Sequence, residues 1–514
     1  MTKDLHFGDS ARKKLISGID KITTAVRSTL GPMGNTVLIE SPDHLGGITV
    51  TKDGVTVAKA IDLVCPVENL AVRMMKQAAD RTSSLAGDGT TTSIVLTEAL
   101  VRSGIEHMTG VDSTSVLREL KHETTQIVDR LSLRSTPVDE RTLRQVAVIS
   151  ANNDPVLGST IAEVYAKVGS SGVVTVETSE DSETHYRVTN GLPIERGFYS
   201  PLFINNHKRD ECVLTDAHVL VCDAEISNIL QIESILAPVI NGGKSLLIIA
   251  PCSANVVNTL AANVVKNNLK LCAIQPPSFG YRQHELMSDI AHSIGATYFS
   301  EKTGDDLSLM SFDDLGHAAK VIVGRDQGVI ITPDDSVDTT ERVTQLQDAY
   351  KVSTKPADKE FILSRIATLS GGIGVIYVGG DTDLEQKELY DRVDDAVCAV
   401  RSALLEGILP GGGLALYDEH FKYTKKDTPA KAMLADALKA PLQQILLNAG
   451  LDPDKIYHSK IREGVGYDVK GEDYGDMVEM GVIDPMRVTK VALQNAVSVA
   501  STILSTNAII TMSR

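Results

Sequence analysis

The sequence predicts a multidomain α/β protein with mainly helical chain ends and a middle in which short strands alternate with helices. Three observations predict it. The 514 residues are enough for about three domains of roughly 100–200 residues. Apolar residues recur at helical spacing up to about Leu133 and again over the last hundred residues. Between these stretches, from Gly172 onward, lie short aliphatic runs bounded by turn residues. An α/β segment flanked by helical ones is the pattern of a domain inserted into another.

Taken in order, Asp9 or Ser10 is the expected cap of a helix carrying Leu15, Ile19, Ile22 and Val26, which Leu30-Gly31-Pro32 ends. Val37 to Ile39 and Ile48 to Val50 read as strands, and Lys52-Asp53-Gly54 reads as a hairpin turn returning through Val55 and Val57. Ala71, Met74, Met75 and Ala78 mark a helix running toward Gly87, and the pattern stays helical from Glu98 to about Leu133. In the middle, Val173 to Val176, Val219 to Val221 and Leu246 to Ile249 read as strands, with Ile226 to Ile240 and Asn255 to Asn267 as helices. Gly371-Gly372 precedes the strand Val375 to Val378, and helix returns from Glu385 to Leu405. There is no repeat array and no low-complexity segment.

Composition narrows the function. A net charge of −17 argues against a nucleic-acid-binding face, which needs clustered Lys and Arg. Trp is absent and aromatics are 4%, so the cores are aliphatic and stacking platforms few. Cys65, Cys212, Cys222, Cys252, Cys272 and Cys398 show no C-x-x-C pair and read as buried thiols. The first residues lack a secretory pattern, and no apolar run reaches the ~20 residues of a membrane span. The expected compartment is the cytoplasm, with neither nucleic acid nor membrane as partner.

The most informative run is Ala86-Gly87-Asp88-Gly89-Thr90-Thr91-Thr92-Ser93, followed by apolar Ile94 to Leu100. Gly87 and Gly89 permit positive φ and close approach of a ligand, the amides of Thr90 to Thr92 are donors at a helix start, and Asp88 is a hard ligand for Mg²⁺ beside phosphate. The same residues also suit an N-cap aspartate before a polar helix start.

Four separated segments resemble the group I chaperonins, the GroEL-type family: Thr29-Leu30-Gly31-Pro32-Met33-Gly34, Thr51-Lys52-Asp53-Gly54-Val55, Gly87 to Thr92, and Glu406-Gly407-Ile408-Leu409-Pro410-Gly411-Gly412-Gly413. Tyr474-Gly475-Asp476-Met477 and Ile483-Asp484-Pro485 extend the resemblance over nearly the whole chain. It implies a mainly helical equatorial ATPase domain (1–133 and 406–514), a small α/β intermediate domain (134–190 and 373–405) and an α/β apical substrate-binding domain (191–372). Hinges are implied near Pro137 and Gly407, and near Gly191 and Gly371-Gly372.

The resemblance also implies an ATPase using ATP and Mg²⁺, with K⁺ as a further candidate. Thr29, Leu30, Gly31 and Pro32 match the nucleotide loop, Lys52 the lysine next to the phosphates, Asp88 the Mg²⁺ ligand, and Gly87 and Gly89 to Thr92 the phosphate cradle. Gly411 and Gly412 match glycines near the nucleoside, Asp484 the acid near the ribose, and Asp468 stands where the family usually has an asparagine at the base. Asp53 and Asp395 match the carboxylates that orient water at the γ-phosphate; alone, they read as a turn residue and a solvated helix carboxylate.

Phe198, Leu202, Phe203, Leu236 and, one residue off, Val257 match an apolar groove for non-native polypeptide, but Glu233, Asn258 and Ala262-Asn263 stand where the family has leucines and valines. A weaker or reshaped groove follows, with reduced affinity for a standard cochaperonin. The end at Thr511-Met512-Ser513-Arg514 lacks the Gly-Gly-Met tail of bacterial members, which predicts a more open cavity floor. These departures describe a divergent member, of the kind carried by a bacteriophage (and then acting in the host cytoplasm) or as a secondary copy.

Val37 to Ile39 and Ala508 to Thr511 match strands that pair between neighbouring subunits of heptameric rings. The function implied is an ATP-driven foldase ring for unfolded or partly folded proteins. The alternative is a passive nucleotide-binding ring that holds such proteins with little hydrolysis. No G-x-x-x-x-G-K-[ST] or G-x-G-x-x-G run supports a small-molecule kinase or ligase.

Overall fold

The computed structural model describes residues 3–512 apart from 41–47, 170–171, 208, 306, 334–338, 354, 371, 424, 426, 458–460 and 462. Gly371, half of the expected upper glycine pair, lies outside the described residues. The chain divides into two compact units, the first made of residues 1–162, 180–183 and 378–514, the second of 163–179 and 184–377. The second is therefore an insertion in the chain of the first.

The elements run β1 (Lys3–Phe7), α1 (Gly8–Arg27), β2 (Val37–Glu40), β3 (Ile48–Thr51), α2 (Gly54–Ala60), α3 (Pro66–Ala86), α4 (Thr90–His107), α5 (Ser113–Arg134), α6 (Glu140–Ser150) and α7 (Pro155–Val168). Next come β4 (Val173–Thr178), β5 (His185–Ile194), β6 (Cys212–Cys222), α8 (Glu233–Gly242), β7 (Ser245–Ile249), α9 (Ala254–Asn267), β8 (Leu271–Ile274), α10 (Gly280–Ile294) and β9 (Tyr298–Phe299). They are followed by β10 (Gly316–Val323), β11 (Gly328–Ile331), α11 (Thr340–Val352), α12 (Pro356–Ser370) and β12 (Gly372–Val378). The chain then forms α13 (Asp383–Glu406), β13 (Ile408–Pro410), α14 (Leu414–His420), α15 (Pro429–Asn448), α16 (Pro453–Tyr457), β14 (Val465–Asp468), β15 (Asp473–Asp476), β16 (Ile483–Pro485), α17 (Met486–Leu504) and β17 (Ala508–Met512).

In the first unit α4 is the central helix, packed by α1, α3, α15 and α17. Ile94, Leu96 and Leu100 are fully buried, along with Ile19, Ile22, Met75, Leu438 and Leu493 from its neighbours. Because α4 is buried over much of its length, Ser93, Thr97 and Glu98 included, its position is fixed by the core, and so is whatever its N-terminus presents.

The second unit is built on a nine-stranded sheet in the order β4-β12-β5-β11-β10-β6-β7-β8, with β9 beside β6. β6, β7, β8 and β9 are parallel to one another. β5 changes partner along its length: residues up to Asn190 pair with β12, and those from Gly191 on pair with β11. A Cβ at Gly191 would lie 2.1 Å from Ile373 Cδ1, so the crossing requires glycine. Lower in the chain, Thr136 and Ile408 form an antiparallel bridge beside Gly407, whose φ is +81.

Several expectations are corrected. Residues 54–60 form α2, not the second arm of a hairpin; the hairpin is β2–β3, pairing Leu38 with Val50. Asp53 decides this, because its carboxylate accepts the Val55 and Thr56 amides and caps a helix there. α1 starts at Gly8, directly after Phe7, with no side-chain cap. The helical run expected from Glu98 to Leu133 breaks between His107 and Ser113, where Gly110 takes positive φ. Ile226 bridges to Cys252 as extended chain, and the helix expected from it begins as a 3₁₀ turn at Ile229. The expected pairing of β2 and β17 between subunits is not touched by this, since each has one partner within the chain, β3 and β1, and a second edge besides.

Candidate nucleotide site

The site is built where α3 gives way to α4. Gly87 closes α3 at φ +77, and Gly89 precedes α4 at φ +85 without a side-chain cap, leaving the first-turn amides of α4 open to a ligand. Both are close approaches as well. A Cβ on Gly87 would lie 2.0 Å from Cys398 Cβ on α13, and one on Gly89 2.7 Å from Val488 Cγ1 on α17. Likewise a Cβ on Gly54 would lie 2.0 Å from Thr91 Oγ1, so α2 begins against the first turn of α4.

This contact brings Asp53 to the loop. Its carboxylate accepts from Val55 N (3.0 Å), Thr56 N (2.8 Å) and Thr56 Oγ1 (2.7 Å), which fixes its rotamer. Asp88 accepts the Gly89 N–H and is open to solvent, yet densely surrounded by protein; that crowding and the Asp53 charge raise its pKa. Asp484 on β16 is the third member. Crowding and then the Asp88 charge push its carboxyl up to about 7, against the opposing pull of the Gly413 and Gly412 amides. Like charges gathered in this way favour a cation.

Asp484 reaches those glycines because β13 and β16 pair with Leu409 opposite Asp484. Gly411 donates to Val482 O (2.8 Å), and a Cβ there would lie 2.8 Å from Ile483 backbone. Gly413 caps α14 at φ +77 without a side-chain bond. The Thr29-Leu30-Gly31-Pro32 loop follows α1, with Thr29 Oγ1 bonded to Val26 O (2.8 Å) and Gly31 at φ +84 facing Ile445. It is held by a residue the sequence did not mark: Asn448 Nδ2 donates to Arg27 O and Leu30 O, both at 2.8 Å. Pro32 and Lys52 are exposed.

Asp395 lies on α13, one helical turn before Cys398 and on the same face. Ser402 of that helix donates to Ala86 O (3.0 Å), so α13 lies along the end of α3. Asp53 and Asp395 thus stand on two of the elements packed against the Gly87–Thr91 loop. Asp468 is turned into its own turn, accepting Lys470 N at 2.9 Å. Among the described residues no group of three or more His, Cys, Asp or Glu side chains is arranged to hold a metal unaided.

The expected apolar groove is mostly not a surface. Phe203, Leu236 and Val257 are buried in the second unit's core and Phe198 packs against it; Leu202 alone of the five is exposed, at 53%. Strands β6, β7 and β8 draw the apolar faces of α8 and α9 inward, which the helical spacing of those residues permits equally well.

The sequence profile of the TCP-1/cpn60 chaperonin family matches residues 22–231 and 231–514. The chain belongs to the TCP-1/cpn60 chaperonin family. It is similar in fold to the chaperonin gp146 of bacteriophage EL 2 (Pseudomonas aeruginosa) in two crystal forms obtained in the presence of ATP-BeFx. The first matches at TM-score 0.69 with 23% identity over 99% of each chain, the second at 0.64 with 22% identity over 99% of each. No helix among the described residues is long and apolar enough to cross a membrane.

Proposed function

We propose that this chain is an ATP-driven chaperone, whose first unit binds and hydrolyses ATP and whose second unit engages non-native polypeptide. The observation that carries the reading is the gathering of Asp53, Asp88 and Asp484 around the uncapped N-terminus of α4, with Asp484 held by the Gly412 and Gly413 amides at the start of α14. Amides at a helix start and glycines with no Cβ suit a polyphosphate. Asp88 would hold Mg²⁺, which would neutralise charge on the phosphates when bound; K⁺ would act in the same sense.

Thr90 to Thr92 present N–H and hydroxyl donors to phosphate oxygens, and Gly411 and Gly412 leave room for the nucleoside beside Asp484. Asp53 and Asp395 orient the attacking water from opposite elements. Because Asp395 comes on α13, which packs on the loop at Gly87 and Ala86, hydrolysis is gated by the seating of that helix. The gp146 structures, obtained in the presence of ATP-BeFx, support nucleotide binding as a function of this fold. Three domains with the boundaries given above and hinges at Gly191 and Gly407 belong to the same proposal, as do heptameric rings in the cytoplasm.

The test is phosphate release from ATP and Mg²⁺ by the wild type beside Asp395→Ala. Turnover that falls about tenfold or more in the variant, a loss of at least ~1.4 kcal/mol of transition-state stabilisation, is the expected result. Equal rates would remove Asp395 from the mechanism, and no turnover in either chain would favour the passive ring.

A further inference from the structure

The last turn of α5 and the glycine run beside Asp484 are joined by ion pairs and backbone bonds that the proposed chemistry does not use. Arg134 ends α5, where a cation suits the helix C-terminus. Its guanidinium reaches three carboxylates. Nη2 lies 2.7 Å from Asp418 Oδ2 and Nη1 3.6 Å from Glu419 Oε1, both on α14, while Nε lies 3.7 Å from Glu463 Oε1, just before β14. The Asp418 and Glu419 side chains are only 3% and 0% exposed, so their charges depend on partners inside the protein. Burial raises the Asp418 pKa, and the Arg134 guanidinium opposes it. Arg130, one turn earlier, holds Glu419 through its other oxygen, Oε2, at 2.7 Å.

From Asp418 the contacts continue to the nucleotide site. Asp418 Oδ2, the oxygen that Arg134 pairs, also accepts the Gly464 N–H at 3.3 Å. Gly464 O in turn accepts the Met477 N–H (3.1 Å), which closes the β14–β15 hairpin. Met477 is buried in one apolar cluster with Leu414 and Tyr417 of α14, and a Cβ on Gly412 would lie 3.4 Å from Met477 Cε. Gly412 and Gly413 supply the amides that pull on Asp484. The backbone after Arg134 grips the same glycine run from its other end. Thr136 N–H donates to Ile408 O (3.0 Å) and Ile408 N–H to Thr136 O (2.9 Å), and β13 runs from Ile408 to Pro410, directly before Gly411. One short segment therefore fixes Gly411 and Gly412 by two routes, by side chain through Asp418 and the hairpin and by backbone through β13.

We propose that Arg134 is a positioning residue for the nucleoside end of the nucleotide: through Asp418 it keeps the β14–β15 hairpin and the Gly411–Gly412 run at the spacing that base and ribose require, and it adds nothing at the triphosphate end. This rests on the reading that the first unit binds ATP. Without the guanidinium a buried carboxylate loses its countercharge, which destabilises the position Asp418 holds and with it the Gly464 bond. Lysine is no equal substitute, because a point charge cannot span several carboxylates as the planar fork does.

The test uses the full-length assembled protein and measures KM and kcat for ATP with Mg²⁺, beside inhibition by tripolyphosphate with Mg²⁺, which carries the phosphates without the nucleoside. Arg134→Gln is expected to raise KM about tenfold, with kcat within about twofold of wild type and the tripolyphosphate inhibition constant unchanged. Arg134→Lys keeps the charge and loses the fork; KM should rise about threefold, and this variant carries the test should Arg134→Gln fail to assemble. Arg134→Gln/Asp418→Asn leaves no unpaired charge in this pair, while the new amide can still accept from Gly464, so KM should return to within about threefold of wild type. Equal weakening of ATP and tripolyphosphate, a fall in kcat alone, a double variant no better than Arg134→Gln, or wild-type KM in every Arg134 single variant that assembles overturns the proposal and leaves the ATPase reading standing. A wild type that neither binds nor hydrolyses ATP overturns both.

Discussion

Asp484 holds its proton to about pH 7 because protein crowding and the Asp88 carboxylate both oppose its ionisation. In the unfolded chain the same carboxyl ionises near 4. A folded-state pKa above the unfolded one means that the native state binds the proton more tightly. The stability this contributes is present below about pH 4 and is lost as pH rises through about 7. Without nucleotide, Tm is therefore expected to fall across that window, and Asp484→Asn should flatten the fall; parallel profiles for the two chains would show that Asp484 is not its source. At this scale the sequence was informative where chemistry is local. Asp88, Gly87 and Gly89 form their turn from their own dihedrals, so the motif carried its geometry. Asn448 gave no such signal, because its two bonds reach carbonyls more than four hundred residues away in the chain.

Those bonds make the end of α15 a support for the loop that follows α1. Asn448→Ala removes both hydrogen bonds to the loop, together about 1–2 kcal/mol, along with one accepted from Gln444 within α15, and the loop touches nucleotide in the proposed site without taking part in chemistry. KM for ATP should rise about fivefold to thirtyfold with kcat nearly unchanged; a fall in kcat alone would place the effect elsewhere. α13 makes the complementary case. Gly87→Ala puts a methyl 2.0 Å from Cys398 Cβ and forces α13 off the loop, so turnover should drop about tenfold or more. Cys398→Gly in the same chain should recover part of it, despite about 1 kcal/mol lost to glycine inside a helix. No recovery would mean that left-handed backbone strain at residue 87, not the seating of α13, is what turnover senses. The hairpin misread at Asp53 belongs here too. Val55 and Val57 alternate as a strand would, and only the capping bonds and the burial of Gly54 against Thr91 show that a helix starts there. Phe203, Leu236 and Val257 were illegible for a related reason, since an apolar residue at helical spacing marks a buried face and says nothing of a binding one.

Across the whole molecule, two ribbons carry apolar surface that the chain itself does not cover. On β2–β3, Leu38, Ile48 and Val50 are exposed while Val37 and Ile39 pack on the core. On β1–β17, Leu5, Phe7, Ile510 and Met512 are exposed while Ile509 is buried. Each ribbon has only two strands and so keeps unpaired edges, a liability that proteins remove by covering or pairing. Two different patches that complement one another give a heterologous contact, which closes into a ring when the rotation permits. If β2–β3 of one subunit meets β1–β17 of the next, Leu38→Lys or Ile510→Glu alone should weaken every contact and shift sedimentation toward smaller species by at least a tenfold change in association. Both substitutions in one chain place opposite charges at every contact, and opposite charges across neighbouring strands stabilise the pairing. The double variant should therefore assemble better than either single one. Should it assemble worse than both, the ribbons are not partners and the ring must close through other surfaces.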